Sequence, residues 1–307
     1  MLRNPKRLYP VMAALTACYV VATLLFVPST STLNALNISR DKAYAIIITF
    51  DLLMTILWSV AAYGLVQLVT YWRTIRHTKD GEGIKYLTLG LGLIAFRMPI
   101  TSIIAAIFGN MFITHPSLTS TAVIFNNYLS VIVAVAGFSL IGFGSEKLVN
   151  LTSKRPHKFV TFGLPLLALA LVTAYTFMAI GRGGYQVPPP KSRASFYLPG
   201  WLIVSTIIVP YAYAWYRALT ATYNLRAYSL GVKCVVYRES LQWMSRGIGM
   251  VVVNSIILQL IGARGGQLNK LRLAPLLFMG VFLICSISAG YGMIAYGAKK
   301  LKRIEEV

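Results

Sequence analysis

Apolar residues fill the chain in eight long segments, and charged positions gather between them rather than recurring within them. The segments are 8–27, 43–72, 85–110, 121–148, 159–180, 196–221, 239–263 and 274–298. Crossing the hydrocarbon core takes about 20 helical residues, so each segment is long enough for a membrane helix. Helix is the expected conformation, because backbone groups in lipid must find partners within their own segment. Strands of a barrel would alternate over shorter stretches. The pattern predicts an all-α, polytopic integral membrane protein with eight transmembrane helices.

One of these patterns occurs twice. Ala136 to Leu148 reads AGFSLIGFGSEKL, and Ala289 to Leu301 reads AGYGMIAYGAKKL, an offset of 153 residues with six identities. Thr101 to Gly109 and Asn254 to Gly262 match at the same offset, as do Ser39-Arg40 and Ser192-Arg193. Apolar composition can produce one such match, but it does not hold several to one spacing. The chain is read as an internal duplication of two parallel four-helix repeats, 1–153 and 154–307. Gly137 and Gly144, like Gly290 and Gly297, lie near one helix face. Small residues at such spacing let membrane helices approach closely, so both pairs are expected to form packing seams.

Composition sharpens this picture. Hydrophobic residues make up 57 % and charged residues 12 %, against roughly 45–50 % and 25 % in soluble domains. The mean hydropathy is +0.67. Twenty of the 29 lysines and arginines flank one side of the predicted spans, among them Arg3, Lys79, Lys154, Arg226 and Lys302. Eight, including Arg40, Arg182 and Lys270, flank the other. That excess marks the cytoplasmic face, which places both termini inside and the protein in the plasma membrane. The net charge of +21 is spread over every inner loop, a distribution suited to anionic headgroups and not to a nucleic-acid domain. The inner stretch 222–246 mixes bases with aromatics. Arg226, Lys233, Arg238 and Trp243 are its candidates for contact with headgroups or with a soluble cytoplasmic partner.

Candidate chemistry is sparse. Among eight acidic residues only Asp51 lies well inside a span, ~12 Å from the outer surface, and Arg97 is the matching base, ~18 Å from the inner one. Charges at such depth usually face a partner or a watery cavity, and an Asp51–Arg97 ion pair across helices 2 and 3 is geometrically possible. Thr101, Asn126, Asn127, Asn254 and Gln259 fall at similar levels and complete a candidate intramembrane polar cluster. At the 153-residue offset Arg97 aligns with Met250, so neither charge recurs in the second repeat.

No lysine sits deep in a span, and His77, His115 and His157 all fall between spans. That disfavours a Schiff-base chromophore or a bis-histidine haem. Cys18, Cys234 and Cys285 show no paired spacing, and no nucleotide, zinc-protease or serine-hydrolase motif is present. No cofactor or metal is expected. The reading is a non-catalytic membrane module that binds a lipid or partner as a sensor or scaffold. The alternative is a transporter for a small or amphiphilic solute that uses the interface between the repeats.

Overall fold

The structure, a computed structural model, describes residues 5–25, 39–114, 116–149, 158–180, 198–263 and 273–305. Among them are eight α-helices. They are α1 (Leu8–Leu25), α2 (Arg40–Ile75), α3 (Lys79–Thr114), α4 (Pro116–Val149), α5 (Lys158–Ile180), α6 (Leu198–Leu230), α7 (Val235–Ala263) and α8 (Leu273–Glu305). Among the described residues, four apolar stretches are long enough to cross a membrane: Pro5–Leu24, Arg40–Ile75, Val235–Leu258 and Leu277–Ile304.

Several helices run past the predicted ends. At 36 residues, α2 is ~54 Å long, well beyond the ~30 Å hydrocarbon core. Polar residues at its ends stay helical because capping groups are at hand. Ser39, in extended backbone, accepts the amide of Lys42 at 3.4 Å. Thr78 accepts the amide of Gly81 at 3.2 Å and so starts α3 almost where α2 stops. The basic-aromatic stretch 222–246, expected as a surface connection, is mostly helix, and only 231–234 separates α6 from α7.

Six helices touch in succession in the order α2, α3, α4, α6, α7 and α8, with α8 returning to α2. Outside this circuit α1 lies against α2 and α3, whereas α5 lies against α4 and α6. The two most extensive contacts are the antiparallel pairs α3/α4 and α7/α8, and both depend on glycine. A Cβ at Gly90 would sit 2.6 Å from the Gly137 carbonyl oxygen and 2.9 Å from the Ile141 nitrogen. At Gly247 it would sit 2.5 Å from the Gly290 oxygen and 3.0 Å from the Ile294 nitrogen. Gly144 meets the Gly83 oxygen at 2.7 Å and Gly297 meets the Ser240 oxygen at 2.5 Å in the same sense. Backbone therefore lies on backbone along both seams.

These contacts correspond at an offset of 153 from α4 to α8 but 157 from α3 to α7. Burial follows the same shift. Positions 83, 84, 87, 88, 90, 91, 94 and 95 are buried on α3, as are 240, 241, 244, 245, 247, 248, 251 and 252 on α7. These α3 and α7 contacts thus match at 157 residues, four away from the 153 expected from the sequence. The displacement is about one helical turn, so both registers present nearly the same face, and apolar matching alone cannot separate them. The packing counterpart of Arg97 is Asn254, not Met250.

Candidate functional site

The N-terminal half of α2 carries a buried charge. Asp51 is buried, and its Oδ2 accepts a 2.8 Å hydrogen bond from Thr23 Oγ1 on α1. The Tyr19 side chain, also on α1, lies beside the same carboxylate and packs edge-on against Trp58 at 4.9 Å. Asp51 Oδ1 has no hydrogen-bond partner among the described residues. The carboxylate therefore ties α1 to α2.

Arg97 belongs to a different neighbourhood. It lies two residues before Pro99, whose missing N–H frees a carbonyl in α3, and it neighbours Tyr211 on α6. The Asp51–Arg97 ion pair considered from the sequence is not formed. Each charge turns instead toward a helix that is not its hairpin partner. Asn254 is buried; its Nδ2 donates to the Met250 carbonyl at 2.6 Å and to Ser286 Oγ on α8 at 3.1 Å. The side chains of Thr101, Asn126, Asn127 and Gln259 lie outside the described residues. No group of three or more metal-ligating side chains comes together among those that are described.

Polar contacts that no sequence pattern signals lie nearer the end of the bundle where α4 stops and α5 starts. Arg217 on α6, 2 % exposed, donates through Nε and Nη2 to the two carboxylate oxygens of Glu146 on α4, at 2.9 and 2.6 Å. Its Nη1 donates to Thr161 Oγ1 on α5 at 2.6 Å. One guanidinium thus joins three helices in bidentate geometry. No spacing signals this. Glu146 and Arg217 read in the sequence as ordinary rim charges.

Where α2, α4, α6 and α8 end and α3 and α7 begin, contacts of similar kinds come in pairs. Glu82 pairs with Lys147 across α3 and α4, and Glu239 lies 3.8 Å from Lys300 across α7 and α8. Tyr86 meets Phe143 edge-on at 4.8 Å, as Trp243 meets Tyr296 at 5.6 Å. Lys147 stands over Phe143 and Lys300 over Tyr296. Tyr71 of α2 hydrogen-bonds Tyr237 of α7 at 2.8 Å, while Tyr228 of α6 donates to Asp80 of α3 at 2.6 Å. Burial and the bond to Asp80 push the Tyr228 phenol up from its ordinary value.

Of the four residues expected to meet headgroups or a partner, Arg226 and Lys233 are exposed. Arg238 turns back to donate to the Val232 carbonyl at 3.2 and 2.9 Å, closing the α6–α7 turn. Trp243 stands within α7 against Tyr296, with Arg246 over its ring at 5.6 Å. Comparison with protein-family models, characterised proteins and solved structures gave no match.

Proposed function

We propose that this chain is a non-catalytic scaffold or sensor of the plasma membrane that binds lipid or protein partners. It is built from two parallel four-helix halves, 1–153 and 154–307, with both termini cytoplasmic and all eight helices crossing the bilayer. The observation that carries the functional reading is the use made of buried polar groups. Asp51 with Thr23, Arg217 with Glu146 and Thr161, and Asn254 with Ser286 each bind one helix to another. Such bonds hold membrane helices to one another. Exposed Arg226 and Lys233 leave the inner face cationic, suited to anionic headgroups or an acidic soluble partner.

The duplicated architecture is supported by the contacts recurring at 153 and 157 residues. Eight crossings are supported by the antiparallel packing of α3 on α4 and of α7 on α8, and by the parallel packing of α2 on α8. In this arrangement α3, α4 and α6 occupy the same slab as the long apolar helices.

The test is a cysteine scan along α3 and α7 with a membrane-impermeant thiol reagent, in a background lacking the three native cysteines. The scaffold reading predicts labelling near the helix ends and none at positions 87, 91, 244, 248 or 251. Labelling at those positions, accompanied by solute flux in proteoliposomes, would instead establish the transporter, a reading that Pro99, Pro165 and Pro210 inside helices favour.

A further inference from the structure

The two outer helices break the correspondence, and the break leaves a vacant seat. α5 rests against α4, where Phe162 meets the Phe143 ring at 6.1 Å and Phe143 is 0 % exposed. The corresponding seat on α8 is an open groove lined by Trp243, Ala289, Gly292, Met293 and Tyr296. These residues answer in turn to Tyr86, Ala136, Ser139, Leu140 and Phe143. Tyr296 is 47 % exposed, because α1, the counterpart of α5, packs on α2 and α3 rather than on α8.

We propose that this groove seats a transmembrane helix of a different polypeptide, one with an acidic residue at its cytoplasmic end. The inference rests on the two-half reading. The matching wall on α4 already holds a helix, with an edge-on aromatic pair and a lysine over the ring in the same places, which favours a helix over an acyl chain. The rim selects which helix. On α4 the seat offers Glu146, held by Arg217, which donates to Thr161 of the seated helix. On α8, exposed Lys299 stands where Glu146 does. Arg246 and Lys300 add charge over the aromatic wall, and Glu239, 3.8 Å from Lys300, offsets part of it.

A helix entering with a cation at this level meets like charge. That disfavours the chain's own α1, which begins beside Lys6 and Arg7, and a second α5, which begins at Lys158. A face-to-face second copy would oppose the two cationic rims. An aspartate or glutamate where Thr161 sits on α5 is the complement.

Native Cys285 lies on the groove face of α8, eleven residues outward of Tyr296, and is exposed. It provides the readout. The full chain, with Cys18 and Cys234 changed to serine, is reconstituted with a synthetic peptide of residues 158–180. The peptide carries K158E, T161E and T173C, the last level with Cys285 when Phe162 of the peptide meets Tyr296. Mild oxidation is expected to cross-link one peptide per chain, and the peptide retaining Lys158 and Thr161 to react about tenfold less. K299E should reverse that preference without disturbing the fold, and G292W should abolish capture by filling the groove.

Equal capture of both peptides, or no capture, overturns the proposal. So does a Cys285–Cys285 dimer, which assigns the face to a second copy. Saturable quenching of Trp243 by brominated phosphatidylglycerol, lost in G292W and without peptide capture, assigns the groove to lipid and equally overturns it. Failure here leaves the two-half architecture standing, since that is read independently by cross-links between helices within the chain.

Discussion

Arg217 and Glu146 show how little of a buried ion pair is visible in sequence. Removing one member of such a pair leaves an uncompensated charge and typically costs about 3–5 kcal/mol. E146A is therefore expected to lower unfolding stability in detergent by about that amount, and E146A/R217M to recover most of it. Tyr228 makes a pH-dependent contribution. Its phenol is raised in the folded state, so its contact with Asp80 stabilises fully below the unfolded value of about 10 and progressively less above it. Stability measured from pH 8 upward should fall in the alkaline range, and Y228F should flatten that fall. Asp51 and Arg97 were legible as the deep charges, but their partners were not. Hairpin adjacency suggested that helices 2 and 3 share them, whereas the helix facing each was fixed by packing that no local pattern encodes.

The glycine contacts belong to the level of the helix pair. An added Cβ would fall within 3.0 Å of a backbone oxygen at Gly144, Gly290 and Gly297, and at Gly137 it would be tight, 3.2 Å from the Gly90 oxygen. Overpacking a filled interface typically costs about 1–3 kcal/mol. G144L and G297L should each lower the thermal midpoint in detergent by a corresponding amount. G92A, whose added carbon would meet nothing nearer than 4.0 Å, should leave it unchanged. Helix ends were less legible. Lys, Arg and Thr at the borders looked like loop residues, yet caps such as Ser39 and Thr78 let the helices run on into the polar layer. The register of α7 was missed for a related reason, since a slip of four residues keeps almost the same face toward α8.

For the molecule as a whole, matches at one offset suggest a duplication, but they say nothing of how the two outer helices would sit. Neither α1 nor α5 carries a matched glycine motif, and it is their unequal placement that opens one seat while filling the other. The other six helices form a circuit, three from residues 1–153 and three from 154–307, and these two sets meet at α2 with α8 and at α4 with α6. Short bifunctional thiol cross-linking of four cysteine pairs, in a background lacking native cysteines, tests that arrangement most directly. E82C/K147C and E239C/K300C should link rapidly within one chain, and the crossed pairs E82C/K300C and K147C/E239C should not. Linking of either crossed pair, or of only one of the first two, would contradict two equivalent halves threading the membrane in the same direction.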